Sequence, residues 1–276
     1  MNHKTSSSAQ NRKAKINARS LGDEKDGSGS GSLPPIVILH GLLGSSRNWL
    51  AAGKELGKGR AVYALDLPDH GESEWSEDPS FAEMSERIQA WADEQELSDV
   101  DWIGHSLGGK VALRIASDRP DLVRKLVLAD IFPRQYPPHH DSDFRAMSAM
   151  EIHDLEDRKT ADNRLGENVK DWGMRQFLLT NLVRDSEGGF RWQVNLAKLH
   201  QNLSTLAGLP FEEREPIDTP TLLIYGGASD FVRDEDLEEA ETFFNEVRGV
   251  RLPDVGHNLH VEARDDFVRA VKEFLR

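Results

Sequence analysis

Gly104-His105-Ser106-Leu107-Gly108 stands between an apolar run at Val100 to Ile103 and a helix-forming stretch that begins Lys110-Val111-Ala112, which puts a serine at a G-x-S-x-G turn leading from strand to helix. Such a turn holds the hydroxyl above the strand end, and the small Gly104 and Gly108 let strand and helix approach without a Cβ clash. Serine is a weak nucleophile and needs an adjacent base. Because Ser106 opens a helix, the Leu107 N–H lacks an intrahelical acceptor and is free to donate to an oxyanion. A second donor is expected from the Leu42 N–H in His40-Gly41-Leu42, directly after the first core strand; His40 itself reads as scaffold. The chemistry this set can do is acyl transfer, in which Ser106 attacks a carbonyl and two backbone N–H groups hold the oxyanion.

The base is expected in Val255-Gly256-His257-Asn258, after the last strand pattern, because a serine hydrolase of this chain order runs nucleophile, acid, histidine. His257 is therefore read as the general base, ahead of His260 three positions on. Two aspartates end strand patterns on the correct edge: Asp130 in Leu128-Ala129-Asp130-Ile131, and Asp230 in Gly226-Gly227-Ala228-Ser229-Asp230. The usual arrangement places the acid after the strand that precedes the histidine, which selects Asp230, while helix capping is the alternative use of either carboxylate.

His40-Gly41-Leu42-Leu43-Gly44-Ser45, Asp66 to Ser73, Gly104 to Lys110, Asp130-Ile131-Phe132-Pro133, Gln176-Phe177-Leu178-Leu179 and Gly256-His257 through Glu262 together resemble the YbfF-type bacterial esterases and their mitochondrial abhydrolase relatives. The likeness runs from about Ile16 to the C-terminus. It implies the α/β-hydrolase fold, and it implies that the acid stands at Asp130; this sequence departs from the pattern by carrying Asp230 as well, so both aspartates stay candidates. Haloalkane dehalogenases and soluble epoxide hydrolases share the fold but need a carboxylate where Ser106 stands.

The elements that must position these residues follow from hydrophobic patterning. Short apolar or β-branched runs at Ile36 to Leu39, Ala61 to Leu65, Val100 to Ile103, Leu126 to Ala129, Thr221 to Tyr225 and Gly249 to Leu252 alternate with helical patterns, which predicts a mostly parallel sheet flanked by helices. Lys15 to Leu21 alternates weakly and is expected as an edge strand, followed by a Gly/Ser connector at 27–32. Ser80 to Leu97 reads as a helix with a capping-box signature at Ser80 and Glu83 and an apolar stripe of Phe81, Met84, Ile88 and Trp91. The last helix, Asp265 to Arg276, has acidic residues at its positive end and a core face of Phe267, Val268, Val271, Phe274 and Leu275.

About ninety residues separate Asp130 from Thr221, where a simple crossover needs about thirty, and the excess is expected to form a helical cap. The expected division is a tail at 1–14, a core at 15–130, the cap at 131–215 and the rest of the core at 216–276. Phe132, Tyr136, Met147, Phe177 and Leu178 are the candidates to line an apolar acyl pocket beneath it, and Gly188-Gly189 reads as a turn into Phe190 and Trp192.

Composition narrows the function further. A net charge of −14 argues against nucleic acid, and no run approaches the roughly 20 apolar residues of a membrane span. Cysteine is absent, which removes thiolate catalysis and cysteine metal sites and fits a reducing compartment. The cytoplasm is expected, with the mitochondrial matrix as the alternative because the first fourteen residues are basic, Ser-rich and free of acids. His139-His140-Asp141-Ser142-Asp143 has metal-ligand residue types, but ligands so close in sequence rarely converge tetrahedrally, so no metal and no cofactor are expected. The expectation is a monomeric or homodimeric serine esterase for short- to medium-chain carboxylic esters, working through an acyl-enzyme on a small-molecule substrate. An acyl-thioester hydrolase and a small-molecule receptor of the same fold are the alternatives.

Overall fold

A computed structural model describes residues 15–22, 33–211 and 215–276. The tail at 1–14 and the connector at 27–32 lie outside the described residues.

The sheet strands are β1 (Ala18–Ser20), β2 (Ile36–Leu39), β3 (Val62–Leu65), β4 (Val100–His105) and β5 (Val123–Ala129), followed by the hairpin strands β6 (Leu182–Arg184) and β7 (Phe190–Trp192) and then β8 (Thr221–Gly226) and β9 (Val247–Leu252). Seven of them form one sheet in the order β1-β3-β2-β4-β5-β8-β9. All neighbours are parallel except β1, which runs antiparallel along β3 with Ala18 opposite Leu65. The predicted strands thus appear, each within a few residues of its sequence pattern, and the Lys15 to Leu21 segment is the edge. β3 lies on one side of β2 and β4 on the other, so the chain reverses its winding direction at β2. Loops leaving β2 and β4 diverge there and open a crevice above the strand ends, the place where open α/β sheets bind ligands.

Pleating sends alternate residues of each strand to opposite faces. Ile36 and Ile38 of β2 pack with α1 (Leu50–Leu56) and the C-terminal helix, where Phe267, Val268 and Val271 are buried. Val37 and Leu39 pack on the other face with α2 (Phe81–Glu94) and α3 (Leu107–Asp118). The α2 stripe Phe81, Met84, Ile88 and Trp91 is buried as expected. Its cap is half of the box: Ser80 accepts from the Glu83 N–H at 3.2 Å, but the Glu83 carboxylate turns to Arg87 at 3.1 Å, one helical turn on, instead of reaching back.

Between β5 and β8 run α4 (Asp141–Ala149), α5 (Arg158–Leu165), α6 (Trp172–Leu179), the β6-β7 hairpin, α7 (Leu196–Gln201) and α8 (Leu203–Leu206). The hairpin was not legible beyond its turn, because three residues per strand give no periodicity. Asp185 shapes that turn by accepting from the Glu187 and Gly189 N–H groups, both at 2.9 Å. This insert joins the sheet body through polar contacts: Asn195 Nδ2 donates to Asp69 at 2.7 Å and Asn181 Nδ2 to the Leu43 carbonyl at 2.8 Å. After β8 come α9 (Asp234–Glu239) and, beyond β9, α10 (Leu259–Glu262) and α11 (Arg264–Phe274).

Candidate active site

Ser106 occupies the turn between β4 and α3 with φ 51° and ψ −119°, a conformation costly for a residue with a Cβ and maintained only where the surroundings enforce it. What enforces it is close backbone packing. A Cβ on Gly104 would stand 2.5 Å from the Gly108 carbonyl oxygen, and one on Gly108 would stand 2.5 Å from the carbonyl oxygens of Leu39 and His40. α3 is thereby pressed against the ends of β2 and β4, with its first N–H groups aimed above the sheet.

The loop after β2 is fixed by two histidines. His40 Nδ1 hydrogen-bonds the Gly41 carbonyl at 2.8 Å, and its Nε2 accepts from the Leu67 N–H at 3.0 Å. His70 Nδ1 hydrogen-bonds the Pro68 carbonyl at 2.9 Å while its Nε2 accepts from the Leu43 N–H at 3.2 Å. A ring that accepts at Nε2 must be the neutral Nδ1–H tautomer. Burial accordingly lowers both histidines' pKa values, that of His70 to about 3, with the neighbouring His40 ring, which would repel a second protonated imidazole, as a further cause there. Gly41 C=O and Leu42 N–H share one planar trans peptide and point in opposite directions. Holding the carbonyl on the His40 side therefore fixes the direction of the Leu42 N–H, and Leu42 borders the same space as Ser106 and Leu107.

His257 lies in the loop after β9, whose N–H groups at Gly256 and Asn258 donate to the Glu262 carboxylate at 2.7 and 3.1 Å. Its Nδ1 is 2.7 Å from Asp130 Oδ2, and its carbonyl is 2.9 Å from His105 Nε2. Asp130 is fully buried, has φ 50°, and accepts from the Gly226 N–H at 3.0 Å and from the Ser229 hydroxyl. Asp230 is exposed, four residues beyond the end of β8. Of the two candidate acids, the fold brings Asp130 to the imidazole and turns Asp230 to solvent.

Ser106 stands where two cavities meet. An inner pocket of about 50 Å³ is bordered by Leu42, Leu107, Lys110, Tyr136, Leu206 and Phe231, among others. An outer cleft of about 790 Å³ is bordered by Ser106, His257, Met174, Phe177, His260 and Val261, among others. Of the residues expected to line an acyl pocket, Tyr136 borders the inner pocket and Phe177 the outer cleft. Phe132, Met147 and Leu178 border neither; each is wholly buried in the apolar core, because they sit on the inward faces of their segments. In the His139 to Asp143 stretch, His140 Nδ1 is 2.8 Å from Asp143, while Asp141 is 2.9 Å from His200 of α7. Among the described residues no group of three or more His, Asp and Glu is arranged to hold a metal ion.

Sequence reasoning passed over Ser229, Phe231 and Glu262. Ser229 and Phe231 act through contacts between loops that follow different strands, with Asp130 and His257 respectively, and Glu262 braces the His257 loop from the short helix that follows it.

Comparisons with known proteins bear on the family and the fold. Residues 36–270 match the Alpha/beta hydrolase family. The chain is 39% identical over 255 residues to the sn-1-specific diacylglycerol lipase ABHD11 of Mus musculus, covering 90% of this chain and 82% of that one. It is 29% identical to the esterase YbfF of Escherichia coli strain K12, over 87% of this chain and 92% of that one. A solved structure of a marine microorganism esterase superposes with a TM-score of 0.88 at 30% identity, covering 95% of this chain and 99% of its own. Among the described residues no helix is long and apolar enough to cross a membrane. With the strand order, the serine turn and these relatives together, the chain belongs to the alpha/beta hydrolase family and is a hydrolase of the esterase and lipase kind.

Proposed function

We propose that the chain is a serine esterase for short- to medium-chain carboxylic esters. Ser106 attacks the ester carbonyl, His257 takes its proton and returns it to the leaving alcohol, and Asp130 holds the imidazole tautomer. The Leu42 and Leu107 N–H groups hold the oxyanion. Water then enters in place of the alcohol and releases the acid.

The observation that carries this reading is the division of space around Ser106. His257 borders only the outer cleft, and the leaving group must lie beside the histidine that protonates it. The acyl chain is then left to the inner pocket with Leu42 and Leu107, whose volume of about 50 Å³, against about 790 Å³ for the cleft, suits a short chain. The mouse relative's name points to diacylglycerols, and a cleft of about 790 Å³ admits a leaving group of that size, but the inner pocket favours a shorter acyl group.

The same cleft favours a second reading. An acyl-thioester presents a similar carbonyl with a bulky leaving group, and the same groups would hydrolyse it. A fluorophosphonate probe tests the shared core: a covalent adduct on Ser106 and a product burst abolished by Ser106→Ala are expected. An adduct on another residue, or saturable binding without turnover, would overturn it in favour of a different nucleophile or a receptor. Comparing kcat/KM for an ester and a thioester of one acyl group then separates the two enzymes.

A further inference from the structure

Lys110 stands in the first turn of α3, four residues beyond the non-helical Ser106 that precedes the helix, and both residues border the inner pocket. It is among the most deeply buried side chains in the molecule, 2% exposed. Its Nζ donates to the Ala207 carbonyl at 2.8 Å and to the Gly208 carbonyl, just past the end of α8, and lies 4.7 Å from the centre of the Tyr136 ring. No carboxylate pairs with it among the described residues, and the charged group that acts on it is another cation, Arg134. Burial, with Arg134 as the smaller cause, lowers its pKa to about 7.

A buried ammonium ordinarily has an anion beside it, because desolvation without a counter-charge is costly. Two carbonyls and a ring face account for part of that cost here. An ammonium has three N–H donors, and two are engaged by carbonyls. The lining of the pocket is equally one-sided: its titratable members besides Lys110 are Tyr136, His139 and His140, and it has no Asp or Glu. A carboxylate entering this pocket meets a lysine and no acidic side chain, inside a protein of net charge −14.

We propose that the inner pocket selects acyl groups ending in a carboxylate, so that the preferred substrates are monoesters of short dicarboxylic acids, with Lys110 as the residue that pairs the distal carboxylate. This rests on the Ser106 reading above and names the substrate class of that site. The bonds changed are those of ester hydrolysis: the ester C–O bond breaks as Ser106 Oγ bonds to the carbonyl carbon, the alcohol leaves with the proton carried by His257, and water releases the free diacid. The distal carboxylate takes no part in bond making. A chain with a methyl end leaves the ammonium without its anion, and sites built to pair a polar group discriminate strongly against such analogues.

Monoethyl succinate and ethyl butanoate share chain length and leaving alcohol and differ in a terminal carboxylate against a methyl. With ethanol release as the readout, the unmodified protein is expected to show kcat/KM roughly tenfold or more higher for monoethyl succinate. Lys110→Met is expected to invert the ratio. If that variant does not fold, protection of the unmodified protein replaces it: succinate should slow fluorophosphonate labelling of Ser106 at concentrations where butanoate does not. Turnover of ethyl butanoate at an equal or higher kcat/KM overturns this inference and leaves the esterase reading standing, as does a preference for monoethyl succinate that survives in Lys110→Met. Turnover of neither ester, with no label on Ser106, overturns both.

Discussion

The Phe231 ring lies flat against the His257 imidazole, with centroids 3.8 Å apart and planes 18° from parallel. Asp130 meets the same imidazole in its plane at Nδ1, so the histidine is fixed by a hydrogen bond along one direction and by a ring face along another. The Phe231 carbonyl accepts from the Tyr136 hydroxyl at 2.7 Å and from Arg134 at 3.3 Å, which ties this contact to the start of the insert. Small misplacements of a catalytic group are expensive in rate. Phe231→Leu keeps apolar bulk but removes the flat face, and kcat is expected to fall about tenfold to a hundredfold. Steady-state kinetics check this, and an unchanged kcat would mean that Asp130 alone holds the ring.

Asp130→Asn should cost about 10⁴ in kcat if Asp130 holds the His257 tautomer, while Asp230→Asn should change it by less than about threefold. Side-by-side kinetics of the two variants decide between the aspartates, and equal mild losses would mean that neither is the acid. Ser229→Ala, which removes a hydroxyl donor from the Asp130 carboxylate, is expected to fall between them at roughly tenfold.

The sheet, the serine turn and the α2 stripe were legible because each depends on local pattern: apolar runs, glycine spacing and a helical period. The choice between aspartates was not. Asp130 and Asp230 both follow adjacent parallel strands, β5 and β8. What separates them is backbone conformation, since φ 50° folds Asp130 back beneath the Gly226 N–H while the chain has already turned outward at Asp230. Nothing in residue type encodes that difference. The same holds for Phe132, Met147 and Leu178, where apolar character identified burial but could not say whether the face points to a pocket or to the core.

Four buried histidines make the fold acid-sensitive. Burial is the leading cause of lowered pKa values at His40, His70, His105 and His260, reaching about 3 for His70 and His260. A folded-state value below the unfolded one means that the unfolded chain takes up protons first as pH falls. The stability these groups contribute is therefore complete above about pH 6.5 and is lost as pH falls below it, for His70 and His260 progressively toward pH 3 by about 1.4 kcal/mol per pH unit each. Urea midpoints measured at several pH values between 7.5 and 4.5 should fall accordingly. His260 stacks on Trp49 with centroids 4.0 Å apart and has an unpartnered Nδ1, so His260→Phe keeps the stack and removes one proton site. That variant should lose less stability per pH unit, by about 1.4 kcal/mol, and an unchanged slope would place the sensitivity elsewhere.

Chain length gives the last prediction. In the proposed reading the acyl group enters a pocket of about 50 Å³ bordered by Tyr136, Leu203, Leu206 and Ala207, whereas the alcohol side opens into a cleft of about 790 Å³. Each methylene added to a neutral acyl chain should gain about 0.8 kcal/mol, close to fourfold in kcat/KM, while apolar wall remains to be covered. Once the pocket is full, a further methylene must either displace α8 or leave the carbonyl out of reach of Leu42 and Leu107, and the rate should fall. Across p-nitrophenyl esters the optimum is therefore expected at short to medium chains. Lengthening the alcohol instead should be tolerated, because the outer cleft is large and bordered by Met174, Phe177 and Val261. A monotonic rise to long acyl chains, with activation at an oil–water interface, would mean that the insert moves far enough to merge the two spaces, and would favour a lipase over the small-pocket reading.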